Sequence, residues 1–474
     1  LGYDAACVGN HDIEAGPEVY NRLKEEFKFP WLAANIIEKQ SGNPYFKPYT
    51  IIEKKGIKIA VLGLCTSSVP TWLPEKLWTG LEFADMYTTA KKWVPIILEK
   101  EKPDLLIGLF HSGSGNADDN SSSPENASLY IAKNIPGFHI IITGHDHKTT
   151  VEEIVNTEGG KVLVIGPGGY FEKVSHIDLL FKGKGKQPEI VVAENISIKS
   201  SRSDPEFIKL TASKFKATTD FCIRPVGNLY KTISSRDAFW GSSAFVDLIH
   251  RAQLALSNAE ISLAAPLGFD AQLYRGVIYF RDLLRLYRYE NFLYVMNLSG
   301  KEIKDHLEYS YSLWIDSMGS ENDHLLAFKK DKAGKPEINE DNGKVRLKNV
   351  YYNFDSAAGI EYEVDVRKPA GERVSIKRMS DGKAFSEQKT YRVAINSYRG
   401  SGGGGHLTEG AGIAHKDLAS RIVWCSDKDL REMIFEWLFT LDAIPDQALN
   451  NWQMVPAPWV EKAKAKESPM LFGR

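Results

Sequence analysis

Short apolar runs recur along the first two hundred residues, each closing on glycine or a polar residue: "KIAVLGLC" from Lys58, "DLLIGLFHSG" from Asp104, "HIIITGHDH" from His139 and "KVLVIGPGG" from Lys161. Runs of this length, rich in branched side chains and bounded by turn residues, predict buried strands. Ahead of the second run, Ala90, Trp93, Val94, Ile97 and Leu98 recur at helical spacing and predict a helix that lays one apolar face on a sheet. Strands alternating with such helices predict a layered α/β architecture. After a Lys/Gly-rich stretch at 183–187, "SDPEFIKLTASKFKATTDF" offers Asp204 as N-cap and Pro205 as first helical residue, so a linking helix is expected over 201–221.

From 222 the pattern restarts with the strands "ISLAAP" and "NFLYVMNLSG" and the helix "KEIKDHLEYSYSLW", whose Ile303, Leu307, Tyr311 and Trp314 share a face. The polar "KKDKAGKPEINEDNGK" reads as a surface loop, and the Trp- and Pro-containing tail from 450 is expected to pack back onto a domain. The resulting division is a first domain over 1–200, the linking helix, a second domain over 222–449 and a tail over 450–474. A length of 474 residues agrees, since it exceeds one hydrophobic core of ordinary size.

Composition narrows the function. With 43% hydrophobic and 25% charged residues the chain can bury a sizeable core, which excludes a disordered protein. A net charge of -2 provides no broad positive field, so a nucleic-acid polymer is excluded as an electrostatically gripped partner while a small phosphorylated ligand is not. Cys7, Cys65, Cys222 and Cys425 lack the paired spacing of a zinc ribbon or redox motif and are read as buried thiols. No run is apolar for long enough to cross a bilayer, and no signal-peptide pattern is present. Oligomeric state is not legible.

Candidate chemistry gathers at predicted strand ends: Asn10 and His11 after "AACVG", His111 after "LLIGLF", and His145 with His147 after "HIIITG". Strand ends in layered α/β folds converge on one edge, where residues distant in sequence can meet. In an extended stretch His145 and His147, two apart, would point to one side. Imidazoles with an Asn carbonyl suit zinc, manganese, iron or cobalt better than calcium. One histidine at a strand end is usually a hydrogen-bonded structural residue; three such blocks together favour a metal site.

The blocks "GNHD" (9–12), "FHSG" (110–113) and "GHDH" (144–147) resemble, in order and spacing, the last three parts of the calcineurin-like metallophosphoesterase signature D-x-H, G-D, G-N-H-D/E, H and G-H-x-H. The resemblance implies a four-layer αββα sandwich holding two divalent transition metals, with the D-x-H and G-D blocks expected upstream of Leu1. Carried over by motif, Asn10, His111 and His145 would bind one metal and His147 would reach the other. Two metals would clamp the phosphate and activate water for in-line attack. His11 would stabilise the transition state or protonate the leaving oxygen, and Glu14 stands where related nucleotidases often carry an Asp that orients this histidine.

In the second domain "YNFDSAAGIEYEVDV" from Tyr352, "YRVAINSYRGSGGGGH" from Tyr391 and "YRYENFLYVMNLSGKEIKDHLEYS" resemble the α+β C-terminal domain of 5'-nucleotidases, more closely its 2',3'-cyclic-nucleotide 2'-phosphodiesterase/3'-nucleotidase branch. Two aromatic rings on separate loops can sandwich a base. The resemblance selects Tyr352 and Tyr398, with Phe354 as the fallback for the first, and leaves Arg236 and Arg399 as phosphate or ribose contacts. Two departures stand out. The loop at 402–405 reads "GGGG" where 5'-nucleotidases usually show G-G-D-G, and "AAPLGFD" replaces an Asn-Gly-Gly-Gly-Ile-Arg element, with Asp270 near the place of their Arg. Hydrolysis of 2',3'-cyclic nucleotides and 3'-nucleotides is therefore the leading expectation, ahead of 5'-nucleotidase or nucleotide-sugar hydrolase activity. A reading of another class, an inactive fragment or nucleoside-binding protein, stands beside it. The family is typically exported to the periplasm or cell surface.

Overall fold

The computed structural model describes residues 2–119, 125–183, 188–339 and 343–473. Its contacts divide into two compact units, Leu1–Pro205 and Glu206–Arg474.

The first unit is organised by a six-stranded sheet in the order Tyr49–Lys54, Ile57–Cys65, Leu105–His111, Ile140–Ile142, Lys161–Pro167, Thr149–Val155. The four inner strands are those expected from the apolar runs, and they are mutually parallel. Parallel strands covered on both faces read as continuous apolar segments, which is why the runs do not alternate. On one face the helix Met86–Glu101 buries Ala90, Val94 and Ile97 against Leu62, Leu64, Leu106 and Phe110. That helix begins where the Asp85 carboxylate accepts a hydrogen bond from Thr88 N at 2.7 Å. Its buried face is narrower than its apolar pattern, since Leu98 is 37% exposed. On the other face the antiparallel ribbon Lys173–Leu180 and Glu189–Ser197 sets Ile177, Leu179 and Ala193 on Leu105, Ile140, Leu163 and Ile165. Each aliphatic side chain fully buried this way contributes roughly 1.5–3 kcal/mol. The layered α/β class is therefore as expected. Because the inner strands are parallel, their C-terminal ends lie along one edge, with His111 at the end of its strand.

The helix Pro205–Cys222 opens at Pro205 and has no buried residue. In the second unit a five-stranded sheet runs Ser356–Ala358, Ile261–Ala264, Thr390–Asn396, Phe292–Ser299, Ile422–Asp429. The helix Gly300–Trp314 starts in a capping box: Ser299 Oγ accepts from Glu302 N, and the Glu302 carboxylate accepts from Ser299 N at 2.7 Å. Its Ile303, Leu307, Tyr311 and Trp314 are all buried, as their spacing requires. Trp452–Val455 adds a parallel strand to Ile360–Asp365, and the helix Ala457–Phe472 places Val460, Leu471 and Phe472 in the main core, so the closing segment does pack back. The polar stretch after Phe328 carries isolated bridges, Lys330 with Pro336 and Ile338 with Val345, so it is more ordered than a plain loop. Residues 340–342 of it, and 184–187 of the Lys/Gly-rich stretch, lie outside the described residues. The four cysteines are free thiols; only Cys65 is buried and the others are half-buried, so the expectation of buried thiols holds in full for Cys65 alone. Among the described residues no helix is long and apolar enough to cross a membrane.

Candidate active site

The first block is set by its own backbone. Gly9 N donates to the Asp12 carboxylate at 2.7 Å, which pins the turn and starts the short helix Asn10–Glu14. Burial holds the Asp12 carboxyl above its usual range, opposed by that hydrogen bond and by His11. A Cβ at position 9 would lie 2.9 Å from His111 Cε1, so glycine is the residue that lets the imidazole close over this turn.

His111 Nε2 lies 2.8 Å from Asn10 Oδ1, across 101 residues of sequence. The His145 ring stands 5.1 Å from the His111 ring, with Trp72 stacked beside it at 5.4 Å and Glu125 Oε1 3.2 Å from His145 Nε2. The structure thus brings Asn10, His111 and His145 together. His147 packs edge-on to Tyr170 at 5.2 Å between ring centres. The backbone argument made for His145 and His147 needs correction. Neither is extended: both adopt the left-handed region, with φ of 71° and 56°. The turn they form is tied to the segment after His111 by Asp146, whose carboxylate accepts from Ser114 N at 3.0 Å and Lys148 N at 3.1 Å. Convergence arises from a pinned turn that holds two non-glycine residues in the left-handed region.

Burial, then His145, His11 and His147, push the His111 imidazole down to about 3. It is therefore neutral at pH 7 and keeps the lone pair that a metal ligand needs. One amide oxygen with imidazole nitrogens is a donor set that fits a borderline divalent transition metal. His11 is 77% exposed while its partner Glu14 is only 11% exposed, and the Glu14 carboxylate sits 2.5 Å from His11 Nδ1. A carboxylate accepting from Nδ1–H fixes the tautomer and leaves Nε2 as the outward nitrogen.

The nucleoside candidates divide. Tyr352 and Tyr398 are half-buried; Tyr352 meets Tyr289 and Tyr351 edge-on, and the Arg399 guanidinium lies 5.5 Å from the Tyr398 ring centre. Phe354 is fully buried and stacked on Trp314 at 5.3 Å, so as a core residue it offers no ring face to a base and the fallback is withdrawn. Arg399 is not a ligand contact either. It is 2% exposed, with every guanidinium N–H directed to a protein acceptor. Arg236 is half-exposed and paired with both oxygens of Asp270, at 2.5 and 2.8 Å, so the acidic residue that departs from the family pattern neutralises it.

Sequence reasoning missed Asp12, although it stands inside the first block, and also Trp72, Glu125, Asp146 and Tyr170, which become neighbours only through the fold. It also missed the buried cluster His306, Asp355 and His406, whose residue types could hold a metal. There the Asp355 carboxylate already binds a cation, Arg399, at 2.9 and 3.0 Å, and accepts from His306 Nε2 at 2.8 Å. A second cation does not fit that arrangement.

Two family models match the chain: calcineurin-like phosphoesterase over residues 3–149 and 5'-nucleotidase, C-terminal domain, over 223–409. The chain therefore joins a calcineurin-like phosphoesterase domain to a 5'-nucleotidase C-terminal domain. It is 26% identical to a 2',3'-cyclic-nucleotide 2'-phosphodiesterase/3'-nucleotidase of Salmonella typhimurium, over 96% of this chain and 76% of that protein. A 5'-nucleotidase of Vibrio cholerae is 36% identical over 32% of this chain and 28% of its own length. Among solved structures, a Staphylococcus aureus chain superposes with a TM-score of 0.73 at 20% identity, covering 96% of this chain and 83% of that one, and shares the fold.

Proposed function

We propose that this chain is a metal-dependent phosphoesterase acting on nucleotides, with 2',3'-cyclic nucleotides and 3'-nucleotides as its leading substrates. The observation that carries the reading is the meeting of Asn10 Oδ1 with His111 Nε2 at 2.8 Å beside the His145 ring, three donors from three separate segments at one sheet edge. Asn10, His111 and His145 would hold one divalent metal, and His147 would contribute to a second. A bound divalent metal supplies Lewis acidity, drawing charge from phosphoryl oxygens and activating water. His11 holds the proton that the leaving oxygen takes up, at Nε2, while Glu14 keeps Nδ1 protonated and the ring oriented. In the second unit Tyr352 and Tyr398 take the base by stacking, a contact that tolerates different bases. Similarity along 96% of the chain to a protein named for cyclic 2'-phosphodiester and 3'-phosphate hydrolysis supports this substrate class. Export to the periplasm or cell surface belongs to the same reading.

The test is metal content together with turnover of 2',3'-cyclic AMP, 3'-AMP and 5'-AMP, measured on this chain and on a form extended upstream in its reading frame. Cyclic and 3' substrates should be cleaved by a metal-loaded form. Preference for 5'-AMP would move the assignment to a 5'-nucleotidase, which the Vibrio cholerae relative favours. Absence of metal and turnover in both forms would leave a nucleoside-binding protein.

A further inference from the structure

Arg399 follows Asn396, whose side chain accepts from Arg399 N at 2.8 Å and starts the short helix Ser397–Gly400 at the end of a sheet strand. The guanidinium turns inward, and its donors are fully assigned. Nε and Nη2 bind the Asp355 carboxylate at 2.9 and 3.0 Å; Nη2 also donates to Tyr352 O at 2.8 Å; Nη1 donates to Gly403 O at 2.6 Å and Asn353 Oδ1 at 3.2 Å. Five donors in a rigid fork are the full capacity of an arginine. The His406 ring extends the same knot, with nitrogens 2.9 Å from Asn353 O and 3.0 Å from Gly404 O. Carbonyls at 352, 353, 403 and 404 are thus all drawn toward one buried cluster, from two segments about fifty residues apart. One segment carries Tyr352. The other carries Tyr398, whose ring covers Gly403 so closely that a Cβ there would lie 2.5 Å from Tyr398 Cε2.

Position 404 explains the departure of the glycine loop from G-G-D-G. Gly404 has φ of +73°, and a Cβ on it would fall on Arg399 Nη1 and lie 2.5 Å from Asn353 Oδ1. The space that a loop side chain would need is filled by the arginine. We infer that Arg399, held by Asp355, is a positioning residue that fixes the spacing of the Tyr352 and Tyr398 segments and excludes a side chain at position 404, so that a nucleoside meets bare glycine backbone at this loop. The inference rests on the proposed recognition of nucleosides by these two tyrosines.

Adenosine binding measured by titration calorimetry tests it without requiring a metal-loaded enzyme, alongside urea unfolding of each variant. Arg399→Lys keeps the charge and removes the fork, and Gly404→Ala adds one methyl at the arginine. Both should weaken adenosine binding tenfold or more while the variants remain folded. Unchanged adenosine binding in a folded Arg399→Lys protein would overturn the inference. Should Arg399→Lys fail to fold, Gly404→Ala decides against Gly412→Ala, a positive-φ glycine in open space: a tenfold loss confined to Gly404→Ala supports the positioning role, and unchanged binding or an equal loss in both overturns it. A wild-type chain that does not bind adenosine would instead sink the nucleoside reading itself.

Discussion

Among the described residues two histidine-rich clusters stand out, and they are built on opposite plans. At the sheet edge of the first unit, Asn10 and His111 come from two separate segments and His145 with His147 from a third, and among the described residues the short polar contact within this set is Asn10 with His111, with no arginine or lysine bonded to it. In the second unit His306, Asp355, His406 and Arg399 are buried; Arg399 and His306 Nε2 bind the Asp355 carboxylate, His406 meets the carbonyls of Asn353 and Gly404, His306 Nδ1 is left without a partner, and the cation is supplied by the protein itself. Histidines are therefore placed in different surroundings according to whether an arginine is present. Where it is, the carboxylate is fixed and His406 holds backbone; where it is not, imidazoles and an amide oxygen form the set proposed to take an external ion. By residue type alone the second cluster is the metal-capable one, yet its carboxylate is already paired with Arg399.

The contrast can be broken most directly at His111. His111→Ala should lower kcat/KM for 2',3'-cyclic AMP about 10⁴-fold, roughly 5 kcal/mol, and reduce bound metal, while the unfolding midpoint of the second unit stays unchanged; steady-state kinetics with elemental analysis checks this. Asp355→Ala should do the reverse. Leaving Arg399 buried without its counter-ion costs about 3–5 kcal/mol of stability, read by urea unfolding, with metal content at the first site retained.

Acid sharpens the comparison further. Burial, partly opposed by Asp355, pushes His250 down to about 3 in the second unit, where its ring nitrogens face Ser262 Oγ and Ser356 Oγ. A histidine with a depressed folded pKa contributes stability that is complete above the unfolded value of about 6.5 and is lost as pH falls, because the unfolded chain takes up the proton first. Burial would raise the Asp355 carboxyl, but Arg399, then His406 and His306, hold it well below the usual range. Its contribution is present above the unfolded value of about 3.9 and declines only below it. Urea midpoints of the second unit should therefore fall between pH 7.5 and 5, and His250→Gln should flatten that slope. A slope unchanged in the variant would remove His250 from the account. The smallest effect is expected at Arg236, which is half-exposed and already paired with Asp270: Arg236→Ala should change KM for 3'-AMP by less than about threefold and stability by at most about 1 kcal/mol.

Much of the first site was legible because its blocks are short, local and terminate apolar runs; Gly9, Asn10 and His111 could be placed from sequence, and the parallel strands did the rest. The turn carrying His145 and His147 was not legible, since left-handed residues stabilised by Asp146 look the same in sequence as an extended stretch. In the second unit the four predicted residues of the Gly300–Trp314 helix were legible from periodicity. Phe354 and Tyr352 were not distinguishable, because two aromatic residues two positions apart beside a short turn give no signal as to which stacks on Trp314. Arg399 was misread for a related reason: an arginine beside glycines resembles a surface residue until its partner Asp355, 44 positions earlier, is seen to meet it.

Trp72, stacked on His145 at 5.4 Å, gives the first site an optical consequence. An indole in contact with an imidazole changes its emission when that imidazole gains a proton or a metal. The chain holds ten tryptophans, so the signal is a difference: the fluorescence change on adding zinc or manganese that disappears in Trp72→Phe belongs to this site. Occupancy can thus be followed with light, before any substrate is chosen.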